Sequence, residues 1–202
     1  MTKLFPAMML AAVTLTAQDK FQPLFNGKDL SAFVVDTPGV WEVREGMIAG
    51  KHAGMKYNDF LRTRANYANF ILKVKFQLVN GEGNSGVQFR SKPVPDSHEV
   101  SGYQADIGQQ YWGCLYDESR RKKVLAKPAE ADLAGLDKKA WNEYELRAEG
   151  KHIVLKLNGK TTVDYTESEP GIEQDGFIAL QVHSGPGIEV RFKDILIRRL
   201  PR

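Results

Sequence analysis

The chain has 202 residues, of which 42% are hydrophobic and 26% charged, and this balance excludes a disordered tail, a collagen-like repeat and a polytopic membrane protein. Lys and Arg number 28 against 25 Asp and Glu, and the net charge of +3 is scattered along the chain, which argues against a nucleic-acid partner. One Cys excludes internal disulfides and Cys-rich metal sites, while 18 Gly and 9 Pro favour a turn-rich, all-β fold.

Residues 1–17 read as an address. Lys3 precedes an almost wholly apolar run to Leu15, and polar residues begin at Gln18. The run is short for a membrane span and suits a secretory signal peptide ending near Ala17. The expectation is a periplasmic or secreted protein, not integral to the membrane once the signal is removed, with residues 18–202 forming a single domain. Cys114 lies far downstream, so no lipid-anchoring Cys follows the apolar run.

Strands are expected at Ala32–Val35, Trp41–Arg44 and Met47–Gly50, with Glu45-Gly46 as a hairpin turn. In Phe70–Leu78 every even position is apolar, while Lys73, Lys75 and Gln77 point the other way. Further strands follow at Gly86–Arg90, Gly102–Ile107, Asn142–Glu149, Ile153–Leu157, Thr161–Tyr165, Phe177–His183 and Glu189–Ile197. Tight turns at Gly150 and Asn158-Gly159 join three of them into a meander. Ala129–Leu136 is the one candidate for a short helix, inside a long charged stretch, Tyr116–Ala140. Ten or more strands without an amphipathic helix predict two stacked antiparallel sheets.

Strand parity singles out polar residues. Gln88 and Arg90 oppose Val87 and Phe89. Gln104 and Asp106 oppose Tyr103, Ala105 and Ile107. Gln181 and His183 oppose Ile178, Leu180 and Val182. If these strands adjoin, the six side chains share one open sheet face, a sugar-sized cleft. A solvated sheet exterior has the same pattern. Trp112 is placed to stack on a sugar, and Glu118 in the Asp117–Arg121 cluster could supply an acid. No P-loop, Gly-x-Ser-x-Gly, His-Glu-x-x-His or EF-hand pattern is present. The four His lack metal-ligand spacing, and the cofactor, if any, stays unknown.

From Phe21 to Leu200 the chain resembles the 3-keto-disaccharide hydrolase family. The resemblance rests on Leu24-Phe25-Asn26-Gly27-Lys28-Asp29-Leu30, Trp41-Glu42-Val43, Asn84-Ser85-Gly86-Val87-Gln88-Phe89-Arg90, Gly176–His183 and Val190–Ile195, in that order. It implies a jelly-roll sandwich of the concanavalin and laminin-G-like type and a carbohydrate substrate oxidised to a 3-ketone. The chain departs from the family where many members read Gly-Tyr-Glu-x-Gln-Ile, since Gln104 and Asp106 stand in place of the Glu and Gln. A 3-ketone acidifies the C2 proton and allows the C1 substituent to leave by elimination. The resemblance therefore suggests Asp106 or His183 as base, Arg90 as enolate stabiliser and Glu118 as acid. Gln88, Gln104, Gln181 and Trp112 would bind substrate. A divalent metal held by Asp106, His183 and a loop carboxylate is an alternative electrophile. A two-carboxylate hydrolase using Asp106 and Glu118, a non-catalytic carbohydrate-binding module and a protein-interaction domain are the competing readings.

Overall fold

A computed structural model describes residues 20–201, so the expected signal segment, residues 1–17, lies outside the described residues. Fifteen strands form two antiparallel sheets. They are β1 (Gln22–Pro23), β2 (Phe33–Val34), β3 (Trp41–Arg44), β4 (Met47–Met55), β5 (Asp59–Tyr67), β6 (Phe70–Leu78), β7 (Asn84–Pro93), β8 (Val100–Gly108), β9 (Leu115–Glu118), β10 (Lys123–Ala126), β11 (Asn142–Glu149), β12 (His152–Leu157), β13 (Lys160–Thr166), β14 (Gly176–Val182) and β15 (Gly185–Arg199). One sheet runs β13-β12-β11-β6-β15-β4-β3, with β1 on β15. The other runs β10-β9-β8-β7-β14-β5-β2. Among the described residues no helix is long and apolar enough to cross a membrane.

Alternation places the core. Phe70, Leu72, Val74, Phe76 and Leu78 of β6 are all at most 1% exposed. On the other side Lys73 pairs with Glu145 and Lys75 with Asp194. Each apolar side chain so buried contributes roughly 1.5–3 kcal/mol. The facing sheet supplies Val87, Phe89, Tyr103, Ala105, Ile107, Ile178, Leu180 and Val182 to the same core. The Glu45-Gly46 turn is realised with φ of 53° and 72°, the left-handed pair that a two-residue hairpin of matching twist requires.

A helix and three strands, β5, β9 and β10, depart from expectation. The helix at Ala129–Leu136 shrinks to one 3₁₀ turn, Glu130–Asp132, with no buried residue to hold a longer one. The charged stretch before it contains β9 and β10, too short and too charged to show a period. β5 escapes a periodicity test because Arg62, Arg64 and Asn66 fill its outer positions and Thr63 an inner one.

Two irregularities shape the open face of the seven-stranded sheet. Residues 84–89 of β7 pair in regular register with 108–103 of β8, but Lys92 then pairs with Ser101. Arg90 and Ser91 together oppose Gly102, a β-bulge with Arg90 at φ 49°. Beyond the bulge the β7–β8 hairpin arches back over the face. Val100 packs with Phe60, Ala179 and Phe177 in a small apolar cluster apart from the main core. Glu99 accepts a hydrogen bond from Asn58 Nδ2 at 3.1 Å, and His98 stacks on Tyr57 with ring centroids 3.7 Å apart. These contacts set the hairpin tip above β14 and β5.

Candidate functional site

The open face is a grid set by register. One lateral row runs Tyr116, Gln104, Gln88, Ala179, Arg62, and the next runs Asp106, Gly86, Gln181, Phe60. Gly86 has no side chain because Gln104 lies across it: a Cβ there would meet Gln104 Cδ at 2.4 Å. Adjacent strands therefore bring Gln88, Gln104, Asp106 and Gln181 to one face, as their parity requires.

Four of the face residues are linked with Asp106 into a hydrogen-bonded chain. Ser91 Oγ donates to Gln88 Oε1 at 2.8 Å, and Gln88 Nε2 donates to Gln104 Oε1 at 2.8 Å. Gln104 Nε2 donates to Asp106 Oδ2 at 3.1 Å, and Asn84 Nδ2 donates to Oδ1 at 2.8 Å. Asp106 is 3% exposed. Burial pushes its carboxyl up to about 7 against the pull of the Asn84 and Gln104 donors, and the charge of Glu118 adds to the rise. Half-buried Glu118 sits in β9 opposite Gly102. Burial, and next the nearby Glu99 carboxylate, push it up to about 7 as well. Glu99 is thus a third acid of this face, placed there by the arching hairpin and absent from any strand pattern.

Arg90 does not join them. The bulge turns its side chain off the row occupied by Gln88 and gives that place to Ser91. Its Nε donates to the Ala68 carbonyl at 2.8 Å, its Nη1 to the Gly150 carbonyl at 2.7 Å and to Gln174, and its Nη2 to Asn69 at 3.3 Å. The guanidinium, 2% exposed, clamps the β5–β6 and β11–β12 turns and commits four of its five N–H donors away from the row of Gln88. Parity counting fails here because one extra residue shifts the alternation.

Trp112 is also displaced from the expected role. It is 2% exposed and packs in the main core, 6.2 Å from the Phe76 ring, so it offers no stacking face to a sugar. The half-buried aromatic pair at this end is Tyr111 and Tyr116, edge to face at 6.1 Å. His183 follows β14 and is half-buried, its Nδ1 donating to the Ser184 carbonyl at 2.8 Å, with no hydrogen bond to Asp106 or Glu118 among the described residues. The set of Asp106, His183 and a loop carboxylate does not assemble as a metal centre, and among the described residues no three His, Cys, Asp or Glu do.

The Asp117–Arg121 cluster gains a partner that the sequence did not show, Glu167, and a cavity opens nearby that no strand pattern indicates. Asp117, Arg120, Arg121 and Glu167 form a buried ion-pair network, in which Arg121 Nη2 meets Glu167 at 2.6 Å and Tyr103 donates to Glu167 at 2.7 Å. It anchors the turn directly after Glu118. A cavity of about 160 Å³ lies between the hairpin tip and β5, walled by Asp36, Asp59, Phe60, Arg62, Pro93, Ser97, His98, Glu99 and Val100.

A family model described as a 3-keto-alpha-glucoside-1,2-lyase-like domain matches residues 20–198. Among solved structures, a candidate glycosyl hydrolase from Parabacteroides distasonis superposes with a TM-score of 0.68 at 21% identity, covering 93% of this chain and 99% of that one. The carbohydrate-binding module CBM66 from Bacillus subtilis gives 0.65 at 17% identity, covering 83% of this chain and 95% of its own. A β-glucanase from Bacillus licheniformis gives 0.61 at 10% identity, covering 90% and 98%. These likenesses show the concanavalin-like sandwich fold. No curated protein matches the sequence.

Proposed function

The chain belongs to the 3-keto-alpha-glucoside-1,2-lyase-like domain family, and from that premise we propose that it is an exported enzyme that cleaves 3-keto-glycosides by elimination. The observation that carries the reading is the pair of carboxyls, Asp106 and Glu118, both poised near neutrality on one sheet face. At such a value one can act as base while the other keeps its proton.

Asp106 takes the C2 proton of the 3-keto sugar. The electron pair left on C2 is delocalised onto the ketone oxygen as an enolate. When the carbonyl re-forms, the pair becomes the C1–C2 double bond and the C1–O bond breaks. Glu118 gives its proton to the departing oxygen. Water then adds across the enone to release the free keto sugar. Arg90 takes no part, since the bulge turns it off this row and four of its five donors go to the two turns and Gln174; the Gln104 amide, held by Gln88, stands beside Asp106 instead. His183, next along from Gln181, is the second candidate base. Substrate entry requires local opening of the face over Asp106, a step of the kind that loops supply.

Carbohydrate binding without turnover is the second reading. It draws on one observation: both Asp106 oxygens already accept hydrogen bonds, as a binding floor would have them. Incubating the purified protein with 3-keto-glycosides and their unoxidised parents, with and without chelator, separates the two. Release of the aglycone from the keto forms alone supports the lyase. Saturable binding of both forms with no release on any keto substrate, even with added divalent metal, overturns it.

A further inference from the structure

The chain Ser91, Gln88, Gln104, Asp106 runs in one sense. Each side chain donates to the next, and the last donor, Gln104 Nε2, serves a carboxylate oxygen. That sense suits an ionised Asp106, which only accepts. A protonated Asp106 is a different partner. Its hydroxyl must donate, and with the amides as they stand it meets an N–H instead of an acceptor. Asp106 is buried, and a polar group stranded by burial is costly.

Every link can reverse with no larger change than the exchange of amide oxygen for amide nitrogen. The terminal torsion of Gln is two-fold, so an amide turned by half a rotation fills the same space. With both amides turned, Asp106 Oδ2 donates to Gln104 Oε1, Gln104 Nε2 to Gln88 Oε1, and Gln88 Nε2 to Ser91 Oγ. The present spacings of these three links are 3.1, 2.8 and 2.8 Å. They remain hydrogen-bonding distances with donor and acceptor exchanged, the first drawing in slightly for an O–H donor. The Ser91 proton, displaced from Gln88, has the Phe89 carbonyl at 3.1 Å. A hydroxyl both donates and accepts, so it can close the chain in either sense. The bulge provides it. Regular alternation would give the place to Arg90, and a guanidinium only donates, so the chain could run one way alone. Two glycines keep the ends clear, since a Cβ on Gly102 would collide with Ser91 Oγ and one on Gly86 with Gln104 Cδ.

We propose that Ser91, Gln88 and Gln104 are positioning residues that form a reversible amide relay, in which both amides turn when Asp106 takes up a proton and turn back when it is released. Asp106 then has a partner on both sides of the proton transfer. In the elimination, the C2–H bond breaks, its electron pair stays on C2, and the proton arrives on Asp106 Oδ2. The new O–H swings to the turned Gln104 Oε1. Hydration of the enone needs a proton at C2, and Asp106 returns it there as the amides turn back. Gln88 and Gln104 thus serve the base and not the sugar, a different task from the substrate binding that their place on the face suggests. The inference rests on the elimination reading for the source of the proton, but the turning itself requires only that Asp106 titrate.

The relay is read by NMR of the isotope-labelled protein, as wild type and in a Glu118→Gln background. Besides Glu118, the titratable groups facing Asp106 are Tyr116 of β9, Cys114 just before it and Tyr144 of β11. Burial keeps these three protonated at neutral pH, so with Glu118 replaced the amides report on Asp106. The Asp106 carboxyl carbon gives the midpoint directly. At low pH the Gln88 amide protons should lie against the Ser91 β protons, and at high pH against Gln104. The two sets of proton–proton contacts should exchange at the Asp106 midpoint, with about a 30-fold excess of one arrangement 1.5 pH units to either side. Asp106→Asn donates where the protonated acid would, and should hold the turned arrangement at every pH. Amides that stay in place while the Asp106 carbon titrates overturn the relay. So does turning of the Asn84 amide in their stead, or an Asp106→Asn protein in which the Gln104 amide protons still face residue 106. Turning in a protein that releases nothing from any keto substrate would defeat the lyase and leave the relay standing; turnover without turning would do the reverse.

Discussion

Replacing Asp106 by Asn should make the protein more stable at alkaline pH and inactive. An unfolded Asp loses its proton near the ordinary 3.8, whereas folded Asp106 holds it to about 7. Between these values only the folded chain binds the proton. The stability this contributes is complete below pH 3.8 and is lost as pH rises through 7. Ionised at pH 8, Asp106 costs the fold on the order of 4 kcal/mol. Asn carries no such charge, and the local hydrogen bonds can accommodate it. Asn84 still donates to an Oδ1. The Gln104 and Gln88 amides can both turn over, so that Gln104 accepts from the new Nδ2, and Gln88 donates to Ser91 Oγ. Ser91 already lies 3.1 Å from the Phe89 carbonyl, where its hydroxyl proton can go. Wild type and Asp106→Asn should therefore melt together at pH 4. At pH 8 the variant should melt roughly 8–16 °C higher, at about 2–4 °C per kcal/mol for a chain of this size. Thermal melts at half-unit pH steps measure this directly. Parallel pH curves for the two proteins would refute the reasoning, because Asp106 would then titrate in the fold as it does in the unfolded chain.

Turnover of a 3-keto-glycoside should follow a narrow bell in kcat/KM centred near pH 7, since Asp106 must be ionised and Glu118 protonated, with both limbs belonging to the coupled pair. Glu118→Gln should cost on the order of 100–10,000-fold and remove the alkaline limb, and an unchanged alkaline limb would clear Glu118 of the acid role. Arg90→Ala should destabilise the fold by on the order of 3 kcal/mol, for the stranded carbonyls of the two turns, and so lower the melting temperature, and activity should fall only with folding. Loss of turnover with an unchanged melt would return Arg90 to the chemistry. Mass spectrometry of the exported protein should find a mature start near Gln18, and intact Met1 on cytoplasmic material would defeat the export proposal.

The sequence alone determined what depends on local alternation. Phe70–Leu78 announces a half-buried strand, Glu45-Gly46 a hairpin, and the parity of Gln88, Gln104, Asp106 and Gln181 a common sheet face, because side chains on regular strands alternate whatever lies beyond them. The ordered motifs from Leu24 to Ile195 carried the family as well. Tertiary structure decided what alternation cannot express. One inserted residue at the Arg90–Ser91 bulge turned a candidate catalytic Arg into a clamp on two turns. Trp112 entered the core, since a turn residue can take either side. Glu99, Asn58 and Phe60 meet only because the β7–β8 hairpin folds back over β14 and β5, joining residues about 40 positions apart with no local signal. The raised carboxyls follow from the same burial, which is a property of the assembled sheet and not of any one strand.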